Sequence, residues 1–370
     1  MSRLPVVAAA FFAVTVIQLL RADAPTALLT NTLKGAYAKN FEIGAAIPSP
    51  DTLNPQEVRL LATHFSSVTP ENIMKPEAIQ PVEGRFVFEA SDRFVADASK
   101  LGLQIHGHTL VWHSQCPAWF FREGDQDASR DLVLRRMREH IAKLVGRYKG
   151  RIARWDVVNE AIDDGEYFLR KSKWFKATGE EFIVEAFKAA RRADPKALLY
   201  YNDYSIDSGA KREKAIRLIK LLKNRGAPID GVGIQGHWTL DSVPYDEIEK
   251  AICDFAAEGL RVAITELDID VVPRGSGAAD VSAREKAAAD PYPDGLPSDR
   301  LQRQADQYAR LYTLFRKHAD KIDLVTVWGL HDGRSWLNYW PRARTNHPLF
   351  WNRALEPKPA LQAVIDAARP

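Results

Sequence analysis

Between residues 42 and 328, short runs of apolar and β-branched residues alternate with longer stretches whose apolar positions recur every three or four residues. The short runs at 42–47, 65–69, 103–110, 153–159, 197–202, 231–235, 261–266 and 323–328 read as strands. Several lack strict alternation, as strands covered on both faces do. The longer stretches read as helices. Asn54-Pro55-Gln56-Glu57 combines an N-cap, a proline in the first turn and a capping glutamate, and Val58, Leu61, Ala62 and Phe65 then keep one face apolar. Ser129 opens a second helix through Leu132, Met137, Ile141 and Leu144. Pro244 starts a third, with Ile248, Ile252 and Phe255, and Ser298 caps another, with Leu301, Ala305, Tyr308, Leu311 and Phe315. Strands alternating with helices predict an α/β protein with a parallel sheet. A single closed (β/α)8 TIM barrel is the economical form, because closure leaves no sheet edge. The alternative, an open doubly wound sheet, is weakened by the lack of a G-x-G-x-x-G after the first strand.

The pattern breaks at two places. Arg3 precedes an almost wholly apolar run, 4–20, and Ala22-Asp23-Ala24 follows it as an A-x-A cleavage pattern. Residues 1–24 therefore read as an export signal, with an uncleaved membrane anchor as the alternative, and residues 25–370 read as the one barrel domain. This predicts a secreted or periplasmic protein with no other contact with a membrane. The second break is 272–299, rich in Gly, Ala, Asp and Pro, which reads as a loop near the mouth of the site. Composition excludes several classes. The 51 Lys+Arg nearly balance the 48 Asp+Glu, and no basic stripe or tail suggests nucleic acid as a partner. Cys116 and Cys253 are the only cysteines, so no C-x-x-C metal or redox motif exists, and both are expected to be free. A chain of 370 residues buries enough surface to fold as a monomer without staples.

In a barrel, reactive side chains sit where strands end and helices begin. Those ends carry Glu71, Asn72, Lys75 and Glu77, then His106, His108, Trp112, His113 and Gln115, then Asp156, Asn159 and Glu160. They continue with Asn202, Asp203 and Tyr204, with Gln235, His237 and Trp238, with Glu266, Asp268 and Asp270, and with Trp328, His331, Asp332 and Trp336. Glu160 and Glu266 each close an apolar strand, the fourth and the seventh, which face each other across an eight-strand ring. Two carboxylates flanking one bond are what glycoside hydrolysis needs, provided that one stays protonated while the other is ionised. Eight of the nine tryptophans (112, 119, 174, 238, 328, 336, 340 and 351) fall in or beside the βα loops. They suit flat apolar platforms for sugar rings, although Trp340 and Trp351 fit structural packing nearly as well. The histidines at 106, 108, 113, 237 and 331 admit a binuclear metal barrel as a rival, but few Asp are expected beside them. Hydrogen-bonded neutral His is the better reading, so no metal or cofactor is expected. Asp203 is expected to orient backbone or a neighbouring His.

These residues carry a resemblance. The motifs Glu71-Asn72-Ile73-Met74-Lys75-Pro76-Glu77, His106-Gly107-His108-Thr109-Leu110-Val111-Trp112-His113-Ser114-Gln115 and Trp155-Asp156-Val157-Val158-Asn159-Glu160-Ala161 come first. Tyr201-Asn202-Asp203-Tyr204, Gln235-Gly236-His237-Trp238, Ile264-Thr265-Glu266-Leu267-Asp268, Trp328-Gly329-Leu330-His331-Asp332, Ser335-Trp336 and Pro357-Lys358-Pro359-Ala360 follow in order. Together, from about Leu33 to the C-terminus, they resemble the family 10 glycoside hydrolases, endo-β-1,4-xylanases. The resemblance implies retaining double displacement on xylan and xylo-oligosaccharides, with carboxyl groups about 5–5.5 Å apart. It implies that Glu160 is the acid/base and Glu266 the nucleophile, supported by Asn159 at the sugar 2-hydroxyl and His237 on Glu266. Glu71, Asn72, Lys75, His108, Trp112, Gln235, Trp328 and Trp336 would line the glycone side, and Tyr204 the leaving-group side. Trp336 would crowd the hydroxymethyl position of a hexose and so favour xylose. Ser205, Gly236 and His331 depart from the commonest family forms. The rival functions are a β-1,4-glucanase or cellulase and a sugar-binding barrel that has lost activity.

Overall fold

The computed structural model describes residues 31–272, 279–286 and 288–369. The expected export signal at 1–24 lies outside the described residues. Eight parallel strands close into a barrel: β1 (Glu42–Ile47), β2 (Ser67–Pro70), β3 (Gln104–Gly107), β4 (Arg154–Asn159), β5 (Leu198–Asp203), β6 (Gly231–Ile234), β7 (Arg261–Asp270) and β8 (Ile322–Val327). Closure is made by β8 against β1, with Glu42 opposite Leu324 and Ala45 opposite Val327. The expected runs and these strands agree to within a few residues. Phe65 instead caps the preceding helix, its N–H bonded to Leu61 O, so β2 starts at Ser67. β7 continues past Glu266 to Asp270.

The helices form for the reasons written in their first turns. Asn54 Oδ1 accepts from the N–H groups of Gln56 and Glu57, and Glu57 Oε2 accepts from Asn54 N at 2.7 Å. This reciprocal box starts Pro55–His64. Ser129 caps Arg130–Arg147 through Leu132 N. Ser298, expected as a cap, is instead the first helical residue, and Pro297 occupies the cap. Cys116 and Cys253 are free.

The inside of the barrel is filled from the strand N-termini upward. Arg154 lies between Glu42 at 2.6 Å and Asp323 at 3.6 Å, and Tyr200 donates its hydroxyl proton to Asp323 at 2.6 Å. Tyr200, Ala263 and Leu324 form a small apolar layer beside this cluster. Larger apolar residues pack between the strands and the surrounding helices. Two glycines leave room for rings: a Cβ on Gly107 would lie 2.3 Å from Trp155, and one on Gly231 would lie 2.3 Å from Tyr200.

Register shifts re-aim side chains at the opposite end. β4 shifts against β5 between Asp156 and Val158, and β7 shifts against β8 between Ile264 and Leu267. A bulge breaks the alternation of a strand and turns its side chains. In β7 it lets the consecutive Thr265 and Glu266 both reach Asn202 inside the ring.

Gly107→Ala should destabilise the barrel by about 1–3 kcal/mol, the usual effect of overpacking against a ring that cannot retreat. Gly146→Ala, on a helix face with open space around it, should stabilise by about 0.5–1 kcal/mol. Denaturant unfolding of both variants checks the pair, and equal effects would contradict this packing.

Candidate active site

Six strand ends contribute side chains to one cavity of about 170 Å³ at the C-terminal rim. Its lining includes Glu71, Asn72, Lys75, His108, Trp112, Asn159, Glu160, Gln235, His237, Glu266, Trp328 and Trp336. Twelve of the thirteen site residues expected from sequence therefore meet. A far larger cleft, about 1970 Å³, opens at the other end of the barrel among Lys34, Lys39, Arg261, Arg316 and Lys321. It lacks the paired buried carboxylates of the rim.

Glu160 and Glu266 are both buried, and their surroundings differ. Glu160 accepts from Trp112 Nε1 at 2.8 Å, Gln235 Nε2 at 3.0 Å and Asn159 Nδ2 at 3.2 Å. These donors are neutral. Burial, reinforced by the charge of Glu266, raises the Glu160 carboxyl above the usual range, against the donors and Arg170. Glu266 accepts from Asn202 Nδ2 at 2.8 Å and faces His237 Nε2 at 3.2 Å. Burial opposes its ionisation, but the His237 hydrogen bond and the charges of His108 and His237 prevail, so its carboxyl is lowered. His237 can play this part because its other nitrogen lies 3.0 Å from Asp268. Burial works against the imidazolium, yet Asp268 and then Glu266 lift His237 to about 9.

Around the pair, Lys75 donates to Asn72 Oδ1 and Gln115 Oε1, both at 2.9 Å, and lies over the Trp112 ring. Burial brings Lys75 down to about 8, against the pull of Glu266 and Glu71. Burial likewise pushes Glu71 up to about 7, despite Lys75 and Arg334. Trp336 is fixed by donation to Asp268 at 2.8 Å and by stacking on Trp340 at 4.6 Å.

Some expectations meet a different outcome. Tyr204 is outside the cavity lining: it is 1% exposed, and its hydroxyl is engaged by Arg170 and Asp164. An Asp does stand beside the histidines, because Asp156 bonds both His106 and His108 at 2.8 Å. Among the described residues no group of three or more His, Cys, Asp and Glu is placed to hold a metal ion. His331 turns to Glu57 at 2.8 Å. Asp203 reaches no histidine. It accepts from the Tyr201 hydroxyl at 2.5 Å, that oxygen accepts from Ala161 N and Ile162 N, and its other oxygen pairs with Lys211 Nζ at 2.9 Å, so it orients backbone and also holds a cation. Of the eight loop-side tryptophans, only Trp112, Trp328 and Trp336 line the cavity. Trp174 donates to Trp112 O, Trp238 to Asp207, and Trp119 stacks on Phe120. Gln115, Ala279 and Val281 also line it, the last two from the long loop after β7. Gln115 is among the strand-end residues read from the sequence, whereas nothing in the residue types of Ala279 and Val281 marks them there.

A closed barrel with two buried carboxylates of opposite protonation tendency in one tryptophan-walled cavity defines a glycoside hydrolase. The family model for glycosyl hydrolase family 10 matches residues 32–367, and the chain belongs to that family. It is 41% identical to an endo-1,4-beta-xylanase of Geobacillus stearothermophilus, over 90% of this chain and 98% of that one. A GH10 endoxylanase retrieved from a sugarcane soil metagenome superposes with a TM-score of 0.87 and is 43% identical, covering 90% of this chain and 99% of its own. A mutant protein in complex with xylotriose superposes with a TM-score of 0.82 at 38% identity, covering 90% of this chain and 99% of its own.

The raised His237 has a consequence for stability. Its proton contributes stability in full below its ordinary value of 6.5, and this is lost as pH rises through about 9. NMR titration of the ring should find His237 still protonated at pH 8. Asp268→Asn should lower its midpoint by roughly one unit or more. A wild-type midpoint near 6.5 would contradict the ion-pair geometry.

Proposed function

We propose that this chain is an endo-1,4-β-xylanase that cleaves internal β-1,4 linkages of xylan by retaining double displacement. The observation that carries the reading is the split between two buried carboxylates in one cavity, Glu160 raised and Glu266 lowered. In this reading Glu266 attacks the anomeric carbon while Glu160 protonates the departing glycosidic oxygen. A glycosyl ester on Glu266 results. Glu160, now a carboxylate, removes a proton from water, which attacks the same carbon and frees Glu266. Asn159 would meet the 2-hydroxyl, a contact that strengthens as positive charge develops on the ring. His237 keeps Glu266 ionised and in line. Glu71, Asn72, Lys75, His108, Gln235 and Trp328 would hold the glycone.

The likeness to named xylanases at about 40% identity over 90% of the chain supports xylan as the substrate class. The neighbour with bound xylotriose supports it too. Selectivity for xylose is assigned to Trp336. Its indole is pinned by Asp268 and Trp340, so a hydroxymethyl group cannot push it aside. Residues 1–24 are proposed to direct export.

Glu160→Ala should lower kcat/KM on xylan by roughly 10²–10⁴-fold, the contribution of a positioned acid/base. Glu266→Ala should lower it at least as far, because no nucleophile replaces it. Reducing-end assays on xylan measure both, and full activity in either would refute the assignment. Comparing xylo- and cello-oligosaccharides tests the substrate. Xylo-oligosaccharides should be favoured, and Trp336→Ala should shrink that preference by roughly 10-fold or more. A preference for cello-oligosaccharides in the wild type would make the protein a glucanase.

A further inference from the structure

The backbone of Glu160 is unusual. Its φ is +56°, a region that residues with a Cβ seldom enter, so the surrounding structure must hold it there. The peptides on either side are gripped from strand β5 and from the loop after β4. Glu160 N donates to Asn202 O at 2.9 Å, and Ala161 N and Ile162 N donate to the Tyr201 hydroxyl at 3.1 Å. The remaining grip comes from Arg170. Its own N–H donates to Ala161 O at 2.8 Å, and its Nε donates to Glu160 O at 3.2 Å. Its two terminal nitrogens fan outward. Nη2 donates to the Tyr204 hydroxyl at 2.6 Å and to Asp164 at 3.2 Å, and Nη1 reaches Asp280 at 3.4 Å. One planar cation thus ties the Glu160 peptide to the loops after β4, β5 and β7. Arg170 does not line the cavity. It has no direct role toward a sugar there, so it acts through another residue.

We propose that Arg170 is a positioning residue for the acid/base carboxylate, its guanidinium clamping the left-handed Glu160 peptide so that the carboxyl is presented to the leaving oxygen. This rests on the reading of Glu160 as the acid/base. A planar fork with fixed donor directions suits the task in a way that an ammonium does not. The clamp also bears on the proton. The ionisable groups whose charges bear on Glu160 come from each neighbouring element: Glu266 from β7, Lys75 from the β2 loop, His113 at 3.8 Å from the β3 loop, Asp203 and Tyr204 from β5 and its loop, and Arg170. Arg170 favours the ionised carboxyl, against burial and Glu266.

The test compares two substrates with purified, full-length protein. Xylotriose has a leaving group that needs a proton, whereas dinitrophenyl β-xylobioside does not. In Arg170→Met, kcat/KM on xylotriose should fall by roughly 10²-fold, the scale of a displaced acid. On the dinitrophenyl substrate it should fall only a few-fold. Azide, a nucleophile that needs no base, should speed turnover of that substrate and yield the glycosyl azide. The alkaline limb of kcat/KM should move to higher pH. Arg170→Lys keeps the cation without the fork, so it should leave the limb in place and retain the selective loss. It also serves if Arg170→Met does not fold, as judged by circular dichroism. Equal losses on both substrates with no azide response would overturn the proposal. Should Glu160→Ala itself keep full activity, the assignment of Glu160 fails instead, and the two failures are thereby separate.

Discussion

Two side-chain amides join the carboxylates. Asn159 gives one N–H to Glu160 and accepts from Asn202, which also donates to Glu266. Thr265 in turn donates to Asn202 Oδ1 at 2.6 Å, which fixes the direction in which that amide points. The bridge sets the carboxylates' places but not their charges, because amides are neutral. A buried carboxylate without a counter-charge is costly, by several kcal/mol after relaxation. The charge difference therefore comes mainly from the side of Glu266, whose imidazole partner is in hydrogen-bond contact. The pair of His237 and Asp268 stands against Glu266, while Glu160 meets Trp112, Gln235 and Asn159.

The barrel makes this asymmetry affordable in structural terms. Strands four and seven stand across the ring, so residues over a hundred positions apart meet without a long loop. The other end of the ring holds a separate ion cluster around Arg154, closed off by Tyr200 and Leu324. Stability and chemistry are thus assigned to opposite ends. The bulge in β7 is the connection between them. Without it, Thr265 and Glu266 would face opposite sides of the sheet, and either the amide bridge or the second carboxylate would be lost.

What the sequence made legible follows the same logic. Strands covered on both faces appear as apolar runs, and an acid at the end of such a run stands out, so Glu160 and Glu266 are visible at once. The tryptophans are not sorted so easily. Trp238 and Trp336 both follow strand ends, yet one is buried against Asp207 and the other stands at the cavity. Their fates depend on acceptors tens of residues away in the chain. Tyr204 is withdrawn from the cavity by Arg170 and Asp164, neither of which lies within 30 residues of it. Ala279 and Val281 carry no chemical signature, and only the path of the loop brings them to the cavity.

The coupling between the two carboxylates also suits the two halves of the proposed reaction. Before attack, burial and the charge of Glu266 favour the proton on Glu160, where an acid is needed. Once Glu266 is esterified its charge is gone, while the cation of Arg170 remains. The balance at Glu160 then moves toward ionisation, at the stage when a base is needed. Lys75, which feels Glu266, Glu71 and Glu160, exchanges the charge of Glu266 for that of Glu160 in that step. No rearrangement of the protein is required for the switch. The chemistry at one carboxylate resets the other, through a separation that the barrel, the bulge and the amide bridge hold fixed.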